Sequence, residues 1–430
     1  MSGESTDVLI LGGGPAGSAA AIALADRGVA SIVVEGETFP RFHVGESLLP
    51  HSLPLFDRLG VHDKVKALPH SLRKEGASFA THDGARSVEF WFEDAFAPAI
   101  PNAYQVRRDE FDAMLLDTAR ERGADVRVPW RATKPHWDGD RLAGAWVRPE
   151  GGAERLVRAT CVLDATGQHA FLATRMGWKT VYDDHRKMAV VGHFDGVTQN
   201  PGRAAGNITI VVTSSGWFWF IPFRTGTTSV GAVFDVDRYR HVTGGLTALF
   251  DAVVENTPEA GRRLASATRT LPAQAVQNFS FRVSRIHGDG FALVGDAAGF
   301  LDPIFSTGVF IGTTTAVTAA DAIVAALSRR GRVDAADLAG AAARTRDLQS
   351  LFFSFIKSYY DPHFLAFFFD PHDAMQIPKA IVTLLAANVL RSDRWRWTSR
   401  FRMLQTLAGV QRVARRFGRQ IVPPLASSPG

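Results

Sequence analysis

Residues 8–17 read Val8-Leu9-Ile10-Leu11-Gly12-Gly13-Gly14-Pro15-Ala16-Gly17, an apolar run that breaks directly into a glycine-rich turn. Gly12 permits a tight turn, Gly14 lets the backbone approach a pyrophosphate, and Gly17 lets a following helix pack closely on the strand. The Ala-rich segment Ser18 to Arg27 reads as that helix. With Pro15 and Ala16 at its start, its free N–H groups and dipole favour phosphate. A second apolar run, Ser31 to Val34, closes on Glu35, where a carboxylate would bind ribose hydroxyls. A glycine turn that merely reversed the chain would need neither the flanking strands nor the acidic residue.

Further stretches converge on the same nucleotide. Arg107 and Arg108 open a helical segment, and Asp164-Ala165-Thr166-Gly167 follows a strand-like run. Gly295-Asp296 follows the apolar run Phe291 to Val294. A dinucleotide reached from both halves of the chain reads as an enclosed FAD more readily than as an exchangeable nicotinamide nucleotide. A separate kind of chemistry is suggested by Trp217 and Trp219. At alternate positions of one strand they share a face, ~6.5–7 Å apart at the α-carbons. Such a pair could wall a flavin off from an organic molecule while leaving room for a small anion and O₂; ordinary core aromatics are the plainer reading.

The elements that must position these groups follow from periodicity. His51 to Ala67 reads as helix, residues 74–106 alternate like strands, and Arg107 to Arg122 returns to helix with Phe111, Leu115, Leu116 and Ala119 on one face. Val126, Val128 and Leu156 to Leu163 add strands, and Met188 to Asp235 is strand-like again. A helix is expected near Gly245 to Thr257, a long one from Gly308 to Leu327, and mostly helix over 334–420. The expectation is a mixed α/β (α+β) chain. A Rossmann-type FAD-binding domain spans 1–330, interleaved with antiparallel substrate-sheet segments at about 74–106 and 180–285. A helical C-terminal region, 331–430, follows.

Composition narrows the class. Apolar residues make up 46% and charged residues 21% of the 430, ordinary for a globular protein. The single cysteine, Cys161, excludes an internal disulfide framework and a cysteine zinc cluster, and fits a reducing cytoplasm. The 13 histidines form no spacing typical of a metal site. The first residues run straight into a strand, so no signal peptide is expected. No uncharged apolar run reaches the ~18 residues of a membrane span; Ala380 to Leu390, between Lys379 and Arg391, is the longest candidate and reads as a packed helix. Net charge is +5, much of it in Arg391, Arg394, Arg396, Arg400, Arg402, Arg412, Arg415, Arg416 and Arg419. No nucleic-acid signature accompanies these arginines, which leaves a solvated face or a patch for an acidic protein.

Over roughly residues 5 to 330 this order resembles the FAD-dependent monooxygenase superfamily related to para-hydroxybenzoate hydroxylase. Within it, three stretches are similar to the flavin-dependent halogenases, in particular the branch acting on phenols and pyrroles. Trp217-x-Trp219-x-Ile221-Pro222 matches their WxWxIP signature in full, and Phe300-x-x-Pro303-x-x-Ser306-x-Gly308 matches their FxxPxxSxG pattern beside the flavin. Phe39-Pro40-Arg41-x-His43-x-Gly45-Glu46-Ser47-Leu48-x-Pro50 resembles their flavin-covering strap, and Lys74 follows just before Gly76.

The resemblance implies that Arg41, Glu46, Ser47, Arg108, Pro303 and Gly308 join Gly12, Gly14, Pro15, Ala16, Gly17, Glu35, Gly295 and Asp296 around FAD. It implies a halide path along Trp217, Trp219, Ile221, Pro222, Phe300, Ser306 and Thr307, and a catalytic role for Lys74. A buried lysine suits that role, since its ammonium can donate to hypohalous acid, its amine can form a chloramine, and burial lowers its pKa. A solvated loop lysine is the ordinary alternative. Ser306-Thr307-Gly308 also reads as a helix cap, and His43 as a covering residue.

With one dinucleotide fingerprint in the chain, the resemblance also implies that FADH₂ comes from a separate NAD(P)H-dependent flavin reductase. Chloride or bromide and O₂ would be the co-substrates, and an electron-rich phenol or pyrrole, free or on an acyl or peptidyl carrier protein, the acceptor. Competing readings are a flavin hydroxylase or epoxidase acting by direct oxygen transfer and a flavoprotein scaffold without chemistry. The prenyl reductases share part of the strap, but Trp217 and Ile221 argue against them. The aromatic stretches Leu351 to Pro362 and Phe364 to Pro371 read as core packing or as the lining of a substrate tunnel.

Overall fold

The computed structural model describes residues 4–213, 216–300, 302–370, 376–390 and 393–417, the side chains at 183–186 and 277–279 excepted. Arg391, Arg419, Pro371 and the last residues of the expected helical tail lie outside that set.

Two sheets organise the chain. In the first, five strands run parallel in the order Phe291–Leu293, Arg155–Asp164, Glu4–Leu11, Ser31–Val34, Asp125–Arg127. Val8, Leu9 and Ile10 are fully buried because this sheet is covered on both faces, which is what an unbroken apolar run anticipates. Helix Pro15–Ala25 packs on it, and helix Gly308–Arg330 packs on that helix in turn. The latter is long and apolar enough to cross a membrane by length and composition, with mean hydropathy 1.6. It is thus a stronger candidate span than Ala380 to Leu390, but 67% of its apolar window is buried inside the protein. Thr313, Thr315 and Ala320 are among its buried residues, so it is used as a core helix.

The second sheet has nine strands, and its central run is Lys179–Asp195, Thr228–Asp235, Gly216–Pro222, Ile208–Val212, Gly76–Thr81 and Ser87–Trp91. The pairing of Ile208–Val212 with Gly76–Thr81 is parallel, and the other pairings in that run are antiparallel. Segments more than 100 residues apart therefore share one surface.

Several elements depart from the periodicity. The helix expected over His51 to Ala67 breaks at Gly60 (φ 66) into Leu53–Arg58 and His62–Ala67. The hairpin Trp130–Asp138/Arg141–Pro149 was not anticipated, and the strand Gln274–Val283 was expected only as part of the broad sheet segment at about 180–285. In the hairpin the alternation is interrupted by charged and proline residues that tertiary packing tolerates.

The C-terminal helices Ala335–Tyr359, Pro362–Phe368, Ile377–Leu385 and Trp395–Arg416 pack onto the second sheet through aromatic rings. Phe305 stacks on Phe355 at 4.0 Å, and Phe79 meets Phe368 edge-on at 4.8 Å. Such pairs add about 0.5–1.5 kcal/mol each beyond the area they bury. Of the two readings of the Leu351 to Phe369 stretch, core packing describes Phe352, Phe355, Phe364 and Phe368, all 1% exposed or less.

Candidate active site

A cavity of about 650 Å³ is walled by residues of both sheets. At one end lies the glycine turn. Gly12 has φ 99, and a Cβ there would stand 2.5 Å from the Ala165 carbonyl oxygen, so the Gly12 turn and the Asp164–Gly167 turn abut with no room for a side chain. Gly14 caps helix Pro15–Ala25 without a side-chain hydrogen bond, leaving the first helical N–H groups to face a ligand. Glu35 lines the cavity and braces the turn as well. Its two oxygens accept from the Gly13 and Glu37 N–H groups, each at 2.7 Å.

Arg41, His43, Glu46 and Ser47 carry the extended strap across this cavity. Arg108 fastens it, since its Nη1 donates to the Val44 carbonyl oxygen (2.6 Å) while Nε and Nη2 grip Asp112 (2.7 and 2.9 Å). Arg41 pairs with the same Asp112 at 3.4 Å. Asp112 is fully buried, and its place four residues after Arg108 on one helix was a readable signal. Asp296 faces Arg108 across the recess. Loss of water pushes its carboxyl up to about 6, against the pull of the arginine. His43 Nδ1 meets the Val44 carbonyl oxygen at 2.8 Å, and the residue borders the cavity.

Deeper in, Trp217, Trp219, Ile221, Phe300, Pro303 and Ser306 line the wall. The two indoles lie 5.6 Å apart at 48°, both at least 94% buried. Trp219 occupies the space above Gly231, where any side chain would collide with its ring. Ser306 takes a left-handed φ of 58 just before Gly308, whose helix start also lines the cavity.

Lys74 is 1% exposed and does not reach the cavity surface. Its Nζ donates to Ser47 Oγ at 2.6 Å and lies 5.5 Å from the Phe92 ring centre. Burial lowers its pKa to about 7. Three more expected site residues stand back from the cavity. Gly17 serves helix packing, because a Cβ there would strike the Gly12 carbonyl oxygen. Pro222 ends its strand beyond the wall, and Thr307 is tucked behind Ser306.

Sequence reading missed several lining groups: Trp130 and Arg131 of the unexpected hairpin, and Gln168, His169, Phe171 and Arg175 after the Asp164 turn. It also missed His193, whose Nε2 meets Glu46 Oε1 at 3.1 Å. The other Glu46 oxygen is buried without a hydrogen-bond partner and borders the cavity. Such an orphan acceptor calls for a donor from a bound group. With the bare glycine turn and the open helix start, the residues present fit a dinucleotide such as FAD. Among the described residues no cluster of metal-ligating side chains occurs, and none of residues 331–417 lines the cavity.

Residues 5–348 match the family described as FAD binding domain. The chain is 32% identical over 329 residues to a 1H-pyrrole-2-carbonyl-[peptidyl-carrier protein] brominase of Pseudoalteromonas luteoviolacea, across 75% of this chain and 78% of that one. It is 31% identical to a tryptophan 2-halogenase of Chondromyces crocatus, across 77% of this chain and 63% of that one. Among solved structures, that of the flavin-dependent brominase Bmp2 superposes with a TM-score of 0.84 at 27% identity, covering 95% of this chain and all of that one.

Proposed function

The chain belongs to the FAD-binding family and, within it, to the flavin-dependent halogenases, and from that membership we propose that it halogenates an electron-rich phenol or pyrrole through Lys74. When bound and reduced, FAD supplies with O₂ the two-electron oxidant that turns chloride or bromide into hypohalous acid.

Gly12, Gly14, Pro15 and Ala16 would hold the pyrophosphate on the helix start, Glu35 the ribose, and the Arg41–Ser47 strap, Arg108, Gly295, Asp296, Pro303 and Gly308 the remainder. Trp217, Trp219, Ile221 and Phe300 keep bulk water and the organic acceptor out of the cavity. Ser306 and the helix start at Gly308 offer donors to a halide. Lys74 stands behind Ser47 and holds a proton at Nζ that can be given up near neutral pH. The ammonium would donate through Ser47 to the hypohalous oxygen, whereas the neutral amine would exchange an N–H for an N–halogen bond with hypohalous acid and release water. The described part of the C-terminal region, 331–370, 376–390 and 393–417, closes the substrate side, and the segments near 74–106 and 180–285 form the substrate sheet.

The observation that carries this reading is the buried Lys74–Ser47 contact, with Ser47 lining the same cavity as the paired indoles. Mass spectrometry of products from FAD, a reductase, NADH and halide over a panel of phenols, pyrroles and carrier-bound acids tests it. Halide-dependent isotope patterns support halogenation, whereas oxygen insertion independent of halide would replace it with hydroxylation.

A separate NAD(P)H-dependent flavin reductase delivers FADH₂, since the chain carries one dinucleotide fingerprint. The basic C-terminal helix docks an acidic carrier protein bearing the acceptor. Exposed Arg402, Arg415 and Arg416 support this, as does the carrier-bound substrate in the name of the brominase relative. The one free, buried cysteine, Cys161, agrees with a reducing cytoplasm.

A further inference from the structure

The two indoles of the wall are fixed in different ways. Trp219 Nε1 donates to Ser229 Oγ at 3.2 Å on the neighbouring strand, so its ring is set from within the sheet. Trp217 Nε1 donates instead to the hydroxyl of Tyr360, also at 3.2 Å, 143 residues away at the end of helix Ala335–Tyr359. Tyr360 in turn donates to Asp302 Oδ2 at 2.7 Å. The direction of this chain of bonds is unambiguous, because an indole N–H can only donate and a carboxylate can only accept. Burial and the Asp302 charge hold the Tyr360 phenol protonated well above its ordinary range. Asp302 Oδ1 accepts from the Ile304 N–H at 3.1 Å and so caps the turn Pro303–Phe305 that leads into Ser306. The Lys187 ammonium sits 4.9 Å from the Tyr360 ring centre.

We propose that Tyr360 is a positioning residue for the indole wall, fixing the Trp217 ring and tying it to the Asp302 turn. Among the described residues the C-terminal helices contribute none to the cavity lining, yet through the Tyr360 hydroxyl they set how tightly the wall separates the cavity from the acceptor side. This rests on the halogenase reading for its consequence in turnover, but not for its geometry. A phenylalanine at 360 keeps the ring and removes the acceptor of the indole N–H. The Trp217 ring is then free to tilt, and reduced flavin and O₂ are lost as oxidised flavin and hydrogen peroxide instead of being used on halide.

The test uses the FAD-loaded full chain labelled with ¹⁵N at the indole nitrogens, the Trp217 signal being identified by its loss in Trp217→Phe. In Tyr360→Phe that signal moves upfield and its N–H exchanges roughly fivefold faster, as expected for one lost hydrogen bond, while the Trp219 signal stays in place. The ratio of hydrogen peroxide to halogenated product rises by a similar factor, with KM for the acceptor unchanged. Should Tyr360→Phe fail to fold, Asp302→Asn weakens the acceptor of the tyrosine proton and is expected to shift the Trp217 signal in the same direction by less. An unmoved Trp217 signal in whichever variant folds overturns the positioning role even if halogenation stands. A shifted signal in the variant, together with an unsubstituted chain that makes no halogenated product, retires the proposed activity and leaves the Tyr360–Trp217 positioning contact standing.

Discussion

Replacing Lys74 by methionine should make the folded protein more stable while ending its chemistry. Burial brings the Lys74 pKa to about 7 from an ordinary 10.5. Below pH 7 the ammonium is charged in both folded and unfolded chains, and the folded state carries the full cost of burying it. Between pH 7 and 10.5 the folded chain has released a proton that the unfolded chain still holds, so wild-type stability climbs by ~1.36 kcal/mol per pH unit. Across that window the cost amounts to about 5 kcal/mol.

Methionine removes this cost, fills much the same volume, and loses the hydrogen bond to Ser47, worth ~1 kcal/mol. The net gain at pH 6 is about 4 kcal/mol. Unfolding entropy of roughly 2.1 cal/mol/K per residue gives about 0.9 kcal/mol/K for a chain of this length, so the melting temperature should rise by about 4 °C. The gap should close as pH rises and vanish or slightly reverse near pH 10.5. Calorimetric melts of both proteins at pH 6, 8 and 10, beside product assays, decide the matter. A Lys74→Met protein that is less stable at pH 6, with no convergence at high pH, would falsify the claim that this amine is buried at a cost.

Gly12→Ala forces a Cβ onto the Ala165 carbonyl at a positive φ, at ~1–2 kcal/mol for the backbone alone. Its expected outcome is a lower melting temperature and loss of bound flavin absorbance on gel filtration. Gly231→Ala places a methyl group in the Trp219 ring, which should cost about 1–3 kcal/mol and raise hydrogen peroxide release while flavin still co-elutes. Ser47→Ala leaves Lys74 without its acceptor; halogenation should fall at least tenfold, about the effect of ~1.4 kcal/mol on a barrier, with flavin retained. Arg402→Glu, Arg415→Glu and Arg416→Glu together should raise KM for a carrier-bound acceptor and leave a free phenol or pyrrole unaffected. Equal effects on both acceptors would count against carrier docking.

Much of the nucleotide end was legible because it obeys local rules. The run Val8–Leu11, the glycine turn and Glu35 lie within one strand–turn–helix–strand unit, where each residue's task follows from backbone geometry a few positions away. The shared face of Trp217 and Trp219 follows from strand period in the same way, and Asp112 was within reach of helix spacing. The hairpin over 130–149 escaped because its alternation is diluted by charged residues and prolines. Gly60 splits a helix whose apolar spacing continues across the break.

The sequence by itself determined the dinucleotide turn and the shared face of the paired indoles, since covalent proximity and period settle those, whereas Lys74 stood out only through the family resemblance. Only the tertiary structure decided that Lys74 stands behind Ser47, that His193 meets Glu46 across 147 positions, and that Tyr360 holds Trp217 across 143. Contacts of that reach depend on how two sheets and a set of helices pack, and packing is a property of the whole chain that no local spacing encodes.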